Sequence, residues 1–164
     1  LSYYQRTQLR YYFYDNQADP NVVNHQRLYA WRTKFHSLAF SHDFTSDARL
    51  IAQWLTGSSA MGQRFVYINF DAWYLMYSHK FAAHRISLRY DDFKVREDDI
   101  FPMDMNNSNG RGVTLAWRYT INANWQLGLE QHVNRNQADI RSTLGESPQQ
   151  DQQQTLAVVQ FRWR

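Results

Sequence analysis

The sequence predicts an all-β fold: an antiparallel up-and-down transmembrane β-barrel with eight strands in this chain. Three observations support this prediction. Apolar and polar residues alternate with period two in eight segments, short and long connections alternate between those segments, and aromatic side chains are mixed with polar ones. Aromatic residues make up 16% of the 164 residues, yet the mean hydropathy is -0.70. A sheet with one face in lipid and the other in water has such a composition.

The period-two alternation locates the strands. It runs through residues 1–14, 25–41, 48–56, 65–80, 85–91, 113–119, 125–134 and 157–163. In the seventh segment, for example, Trp125, Leu127 and Leu129 alternate with Gln126 and Glu130. A helical period of 3.6 would mix Arg with Trp on every face, so the pattern favours strands.

The connections between these segments differ in length. Those at 42–47, 81–84 and 121–124 are short, whereas those at 15–24, 57–64, 97–111 and 136–151 are longer and polar. Outer-membrane barrels have short turns on the periplasmic side and long loops outside. We therefore expect one barrel domain or barrel segment over residues 1–164, with both chain ends on the periplasmic side.

A soluble eight-stranded barrel that binds a ligand is the alternative, and it would place its apolar residues inside. Tyr and Trp near the strand ends favour the membrane version, because amphipathic rings collect at membrane interfaces. The sequence contains no run of 18 or more apolar residues, so it predicts no transmembrane helix. No export leader is visible, so we expect either a removed leader or a piece of a longer protein.

Charge and cysteine usage narrow the classes of partner. The formal charge is +3, but Lys and Arg are spread along the chain without a basic cluster, so we expect no nucleic-acid partner. Cysteine is absent, which excludes disulfides and thiol chemistry.

Cations dominate the polar faces of the predicted strands. Rings of Arg and Lys in a pore lower the barrier for anions, and guanidinium groups bind phosphate or carboxylate through two hydrogen bonds. In a narrow eight-stranded barrel, the same residues would instead form ion pairs that fill the interior. The residues expected to face the lumen are Arg6, Arg10, Arg32, Lys34, His36, Asp71, Arg85, Arg89, Asp91, Arg118, Glu130, His132 and Arg162.

Other chemistry has weaker support in the sequence. Asp91, Asp92, Asp104 and residues 97–99 are acidic, but their spacing matches no calcium-binding loop. The histidines form no pair at metal-ligand spacing, so we expect no metal and no cofactor. Glu130 and His132 could touch on one strand face, but no serine nucleophile accompanies them. We therefore do not expect an enzyme.

Several modest motifs together resemble one known family. The chain is similar to porin-like outer-membrane proteins of Gram-negative bacteria, of the phosphate-selective porin superfamily, over roughly residues 48–164. The segments that carry the resemblance are TGSSAMG (56–62), FDAWYL (70–75), HRISLRYDDF (84–93), NNSNG (106–110), TLAWRY (114–119), WQLGLE (125–130) and VVQFRW (158–163).

The resemblance implies a passive pore in the bacterial outer membrane, and it implies that this chain is the C-terminal half of a larger barrel. The expected partners are outer-membrane lipid and lipopolysaccharide, the barrel-assembly machinery, small polar or anionic solutes, and a second copy of the chain. A small closed barrel with a filled lumen, serving structure or adhesion, is the second interpretation. It requires the first strand to pair with the eighth.

Overall fold

The structure of the chain is a computed structural model that describes residues 6–20, 30–62, 66–99 and 105–163. One antiparallel sheet contains every described strand, and the strands follow one another in sequence order. Their bounds are β1 Thr7–Asp15, β2 Trp31–Asp43, β3 Ala48–Met61, β4 Val66–Phe81, β5 His84–Glu97, β6 Ser108–Thr120, β7 Trp125–Ala138 and β8 Gln149–Phe161. The predicted eight-stranded antiparallel meander is therefore confirmed.

The predicted closure of these eight strands into a barrel is not found. Within the described residues, β1 pairs with β2 alone and β8 pairs with β7 alone, so the sheet is open. Each outer edge presents a row of backbone donors and acceptors without a strand partner. The β1–β8 pairing that the small closed barrel requires is also absent from these residues.

The short connections of the sequence are tight turns at one end of the sheet, which we call the turn end. Ala82 adopts a φ of 50° in the two-residue connection between β4 and β5, as two-residue hairpin turns commonly require. In the β6–β7 turn, Asn122 Oδ1 accepts hydrogen bonds from the backbone N–H groups of Asn124 and Trp125, at 2.9 and 3.0 Å. Local polar side chains thus fix these reversals.

The longer connections lie at the opposite end, which we call the loop end. β3 and β5 run further toward it than the alternation predicted, to Met61 and Glu97. The connection between β7 and β8 contains a short helix, α1 Ile140–Thr143, that the sequence did not predict. No helix in the described ranges is long and apolar enough to cross a membrane.

The sheet has two faces with different side chains. Residues directly opposite each other on paired strands point to the same side, so the register assigns each residue to a face. The front face carries Leu88, Leu115 and Gln131 in one row, and the back face carries Ser78 and Ser87 in another.

Exposure is reversed relative to a soluble sheet. Leu88 and Leu115 on the front face are each 52% exposed, whereas Ser37, Ser59 and Ser78 on the back face are buried. Ala48 is the only buried apolar residue in the described part of the chain. A soluble sheet normally buries its apolar face against a second layer. In this sheet, the buried polar side chains of the back face are serines.

The front face is apolar over a limited length of each strand. This apolar band runs from Trp73 to Phe81 on β4 and from Val113 to Tyr119 on β6. Rings stack at its turn end, where the centroids of His84 and Tyr119 are 4.8 Å apart. Trp73 and Tyr90 lie 5.3 Å apart at its loop end. Aromatic residues thus border the band at both ends.

Candidate functional site

Small hydroxyl side chains lie in the middle of the back face. Ser78 Oγ accepts a hydrogen bond from Arg85 Nη1 and lies within bonding distance of Ser87 Oγ, both at 2.9 Å. Gln53 Nε2 donates to Ser37 Oγ at 2.8 Å. Every buried polar side-chain atom in the described residues has a partner. The buried serines of the back face are therefore hydrogen-bonded.

Three cations form a row across the back face near the turn end. Lys80 on β4 lies directly opposite Arg85 on β5, and Arg85 lies directly opposite Arg118 on β6. None of these three takes part in an ion pair within the described residues. Like charges directly opposite each other destabilise a sheet. We call these three residues the cation row.

Two other back-face cations, Arg49 and Arg89, are neutralised by carboxylates. Arg89 Nε donates to Asp91 Oδ1 at 2.7 Å, and its guanidinium carbon lies 4.2 Å from the centroid of the Tyr74 ring. Arg49 Nη2 donates to Asp43 Oδ2 at 2.7 Å. The cation row thus differs from its neighbours because it carries uncompensated positive charge.

A pocket of about 650 Å³ opens beside this row at the turn end. Arg6, Arg49 and Arg85 line it together with Asp43 and Asp47. Its lining is therefore rich in charge of both signs, with arginines in the majority. A small anion would meet several guanidinium groups there.

The predicted lumen-facing residues do not all share one face. Those on the back face of the sheet are Arg10, Arg85, Arg89, Asp91, Arg118, Glu130 and His132. Arg6 precedes β1 and Arg162 follows β8, so both lie outside the strands. Arg32, Lys34, His36 and Asp71 lie on the front face instead.

Arg32, Lys34 and Asp71 therefore do not share a face with the other predicted lumen residues on the strands, and depth along the strand explains the difference. They lie at the loop end, beyond the apolar band, where the front face becomes charged. Arg32 pairs there with Asp15 at 3.0 Å, and Asp71 Oδ2 accepts a hydrogen bond from Trp54 Nε1 at 2.8 Å. The alternation predicted one polar side for the whole strand, whereas polarity changes sides along its length.

His132, the possible catalytic partner of Glu130, is hydrogen-bonded to other residues. His132 Nδ1 lies 2.8 Å from Thr114 Oγ1, and His132 Nε2 lies 3.2 Å from Asn134 Nδ2. Both ring nitrogens therefore have partners other than Glu130. Among the described residues, no three His, Asp or Glu side chains gather as metal ligands, and Asp104 lies outside those residues.

Lys80 was missed by sequence reasoning because Asp71, on the same strand, was predicted to face the lumen. The register places Asp71 on the front face and Lys80 on the back face. The usable signal was the run Trp73, Leu75 and Tyr77, which is exposed and continues the front-face band.

An apolar cluster on the back face was also missed. Phe35 and Phe70 lie on either side of Gly57, and Phe93 lies opposite Gly110, all toward the loop end. A Cβ added at Gly57 would lie 2.7 Å from Phe70 Cζ, and one at Gly110 would lie 2.6 Å from Phe93 Cε1. The rings occupy the space that the glycines leave open.

Comparison with known proteins yields no relative. No protein-family model matches the chain, and no curated protein or solved structure matches it significantly. The resemblance to porin-like proteins therefore stays a prediction.

Proposed function

We propose that this chain supplies eight strands to a β-barrel pore of the bacterial outer membrane, through which small polar or anionic solutes diffuse passively. The observation that carries the proposal is the reversed polarity of the sheet. Along the apolar band, the front face carries exposed leucines, whereas Ser37 and Ser78 on the back face are buried. Lipid on the outside and water on the inside would satisfy both faces.

The dimensions of the apolar band support a membrane location. From Trp73 to Phe81 the band covers about nine residues, within the roughly 9–11 that a tilted strand needs to cross a bilayer. Aromatic rings at both ends of the band match the girdles that membrane barrels place at the two interfaces.

The cation row supports a preference for anions. Three uncompensated positive charges on adjacent strands attract anions and repel cations in a confined aqueous space. Arg and Lys also differ usefully: the guanidinium forks hold oxyanions in defined geometry, while Lys80 acts as a point charge. An anion passing the row would relieve the mutual repulsion of the three side chains.

A pore requires more strands than this sheet contains. Eight strands close around an interior that their own side chains fill, whereas water-filled porins have about 16–18 strands. The open edges of β1 and β8 would join further strands, either of the same protein or of a second copy, because unpaired backbone groups are costly in lipid. The small closed barrel is disfavoured because β1 and β8 do not pair among the described residues.

The test is single-channel recording. The chain is refolded in detergent and added to a planar bilayer under a salt gradient, which reports ion preference. We expect steady conductance that favours chloride over potassium. Replacing Arg85→Gln and Arg118→Gln together should lower this preference by about twofold or more. Arg89→Gln is the control: it removes equal charge per substitution, but Asp91 already neutralises Arg89.

Two results would contradict the proposal. A folded, heat-modifiable chain that assembles into oligomers but gives no conductance would point to a filled barrel. Detergent-free solubility as a folded monomer would point to a soluble ligand-binding sheet.

A further inference from the structure

Beyond the apolar band, toward the loop end, the front face carries exposed cations. On β5, Lys94 and Arg96 lie beyond Tyr90 toward the loop end, and on β6, Arg111 lies beyond Val113 in the same direction. We call Lys94, Arg96 and Arg111 the loop-end cations. They lie on the face opposite the cation row.

The loop-end cations lack the ion pairs that their neighbours have. Arg135, directly opposite Arg111, donates to Asp151 Oδ1 at 2.7 Å. Within the described residues, Lys94, Arg96 and Arg111 make no ion pair, although Asp71 and Asp92 lie directly opposite Lys94 and Arg111. The carboxylates nearest in register therefore leave these three charges available.

Lys94 and Arg111 can converge on one group, and Arg96 lies on the same face two residues beyond Lys94. Lys94 lies directly opposite Asn109, two residues from Arg111, and such diagonal neighbours on paired strands are about 7–8 Å apart. A pocket of about 580 Å³ is lined by Lys94, Arg111 and Arg135 with Asn109 and Asp92. Long Lys and Arg side chains reach across such a spacing, and their donors fit the oxygens of a phosphate.

We infer that the loop-end cations bind the phosphate groups of an anionic lipid in the membrane leaflet on the loop side. This inference rests on the proposed function, which places the apolar band in lipid. Arg111 precedes Val113 by two residues, a rise of about 7 Å along the strand. Arg111 therefore lies at the depth of the headgroups, in register with Trp73 of the aromatic border, and Lys94 and Arg96 lie further out on the loop side.

A lipid explains the arrangement better than a free phosphate ion does. The loop-end cations lie on an open surface, and Lys94, Arg96 and Arg111 are all solvent-exposed. An isolated ion on such a surface competes with water and salt. A lipid phosphate is held nearby by its acyl chains, which pack against the apolar band. Basic residues near an anionic membrane surface each strengthen association by about fivefold.

The test compares two vesicle compositions. The refolded chain is offered to vesicles of phosphatidylcholine alone and of phosphatidylcholine mixed with lipid A, and bound protein is measured by flotation. We expect tighter binding to the lipid A vesicles. Lys94→Gln, Arg96→Gln and Arg111→Gln combined should reduce that preference on the order of 100-fold. Millimolar inorganic phosphate should not displace the chain.

A charge-matched variant separates the two proposals. Lys80→Gln, Arg85→Gln and Arg118→Gln remove the same net charge from the back face, so this variant should keep the lipid A preference and lose anion selectivity. Equal binding of the unsubstituted chain to both vesicles, or displacement by inorganic phosphate, would overturn the lipid inference while leaving the pore proposal intact. Failure to associate with either vesicle would overturn the pore proposal as well.

Discussion

The turn end and the loop end of this sheet have opposite distributions of polarity. At the turn end, the front face is aromatic, with His84 and Tyr119, and the back face carries the cation row. At the loop end, the front face is charged and the back face carries the apolar cluster of Phe35 and Phe70. The environment of a residue in this sheet therefore depends on its depth along the strand as well as on its side.

The largest test of this comparison replaces front-face residues at two depths of β6. Leu115→Arg places a charge in the middle of the apolar band and should lower the free energy of unfolding from vesicles by about 2–4 kcal/mol. Asn109→Arg, on the same face beyond the band, should change it by about 0–1 kcal/mol. Tryptophan fluorescence during denaturant titration in vesicles measures both. Equal losses would show that the band does not lie in lipid.

A second test probes the apolar cluster at the loop end. Gly57→Ala should destabilise the sheet by about 1–3 kcal/mol, because the new Cβ meets the Lys34 carbonyl oxygen and lies 2.7 Å from Phe70 Cζ. Gly128→Ala is the control, since its nearest neighbour is 3.5 Å away in ordinary contact. Denaturant midpoints compare the two. Similar losses in both variants would mean that the rings move aside easily.

The smallest effect concerns acid stability at the loop end. The Arg135 guanidinium holds the pKa of the Asp151 carboxyl below its usual value of 3.8. A carboxyl with a lowered folded-state pKa stabilises the fold above its unfolded pKa, and this contribution disappears as the pH falls through the folded value. Asp151→Asn should therefore flatten part of the stability loss below about pH 4. The pH profile of the denaturant midpoint measures this effect. Gln152→Asn, at the next position on β8, should keep the original profile.

The sequence was sufficient for the strand order, because period-two alternation and turn residues act locally. The alternation on β5, β6 and β7 also placed Arg85, Arg118 and Glu130 on the correct shared face, since these strands have a continuous apolar side within the band. Such strands need no tertiary information to be assigned.

The faces of β2 and β4 could not be read from the sequence in the same way. Each of these strands runs well past the apolar band, so its charged residues lie on one face at one depth and on the other face at another. Lys34 and Asp71 look like lumen residues in the alternation, but cross-strand register puts them on the front face. Ion pairing between strands also depends on register, which is why the sequence did not reveal that Arg49 pairs with Asp43.

The meander topology also has a consequence for how the chain folds. Every strand pairs with its immediate neighbour in sequence, so the contacts that hold the described sheet are local and each hairpin can form on the edge left by the previous one. At every stage of this growth, the sheet has one unpaired strand edge on each side. The closure of each connecting loop then contributes to the speed of folding, and an edge strand of the partly assembled sheet stays exposed until another strand pairs with it.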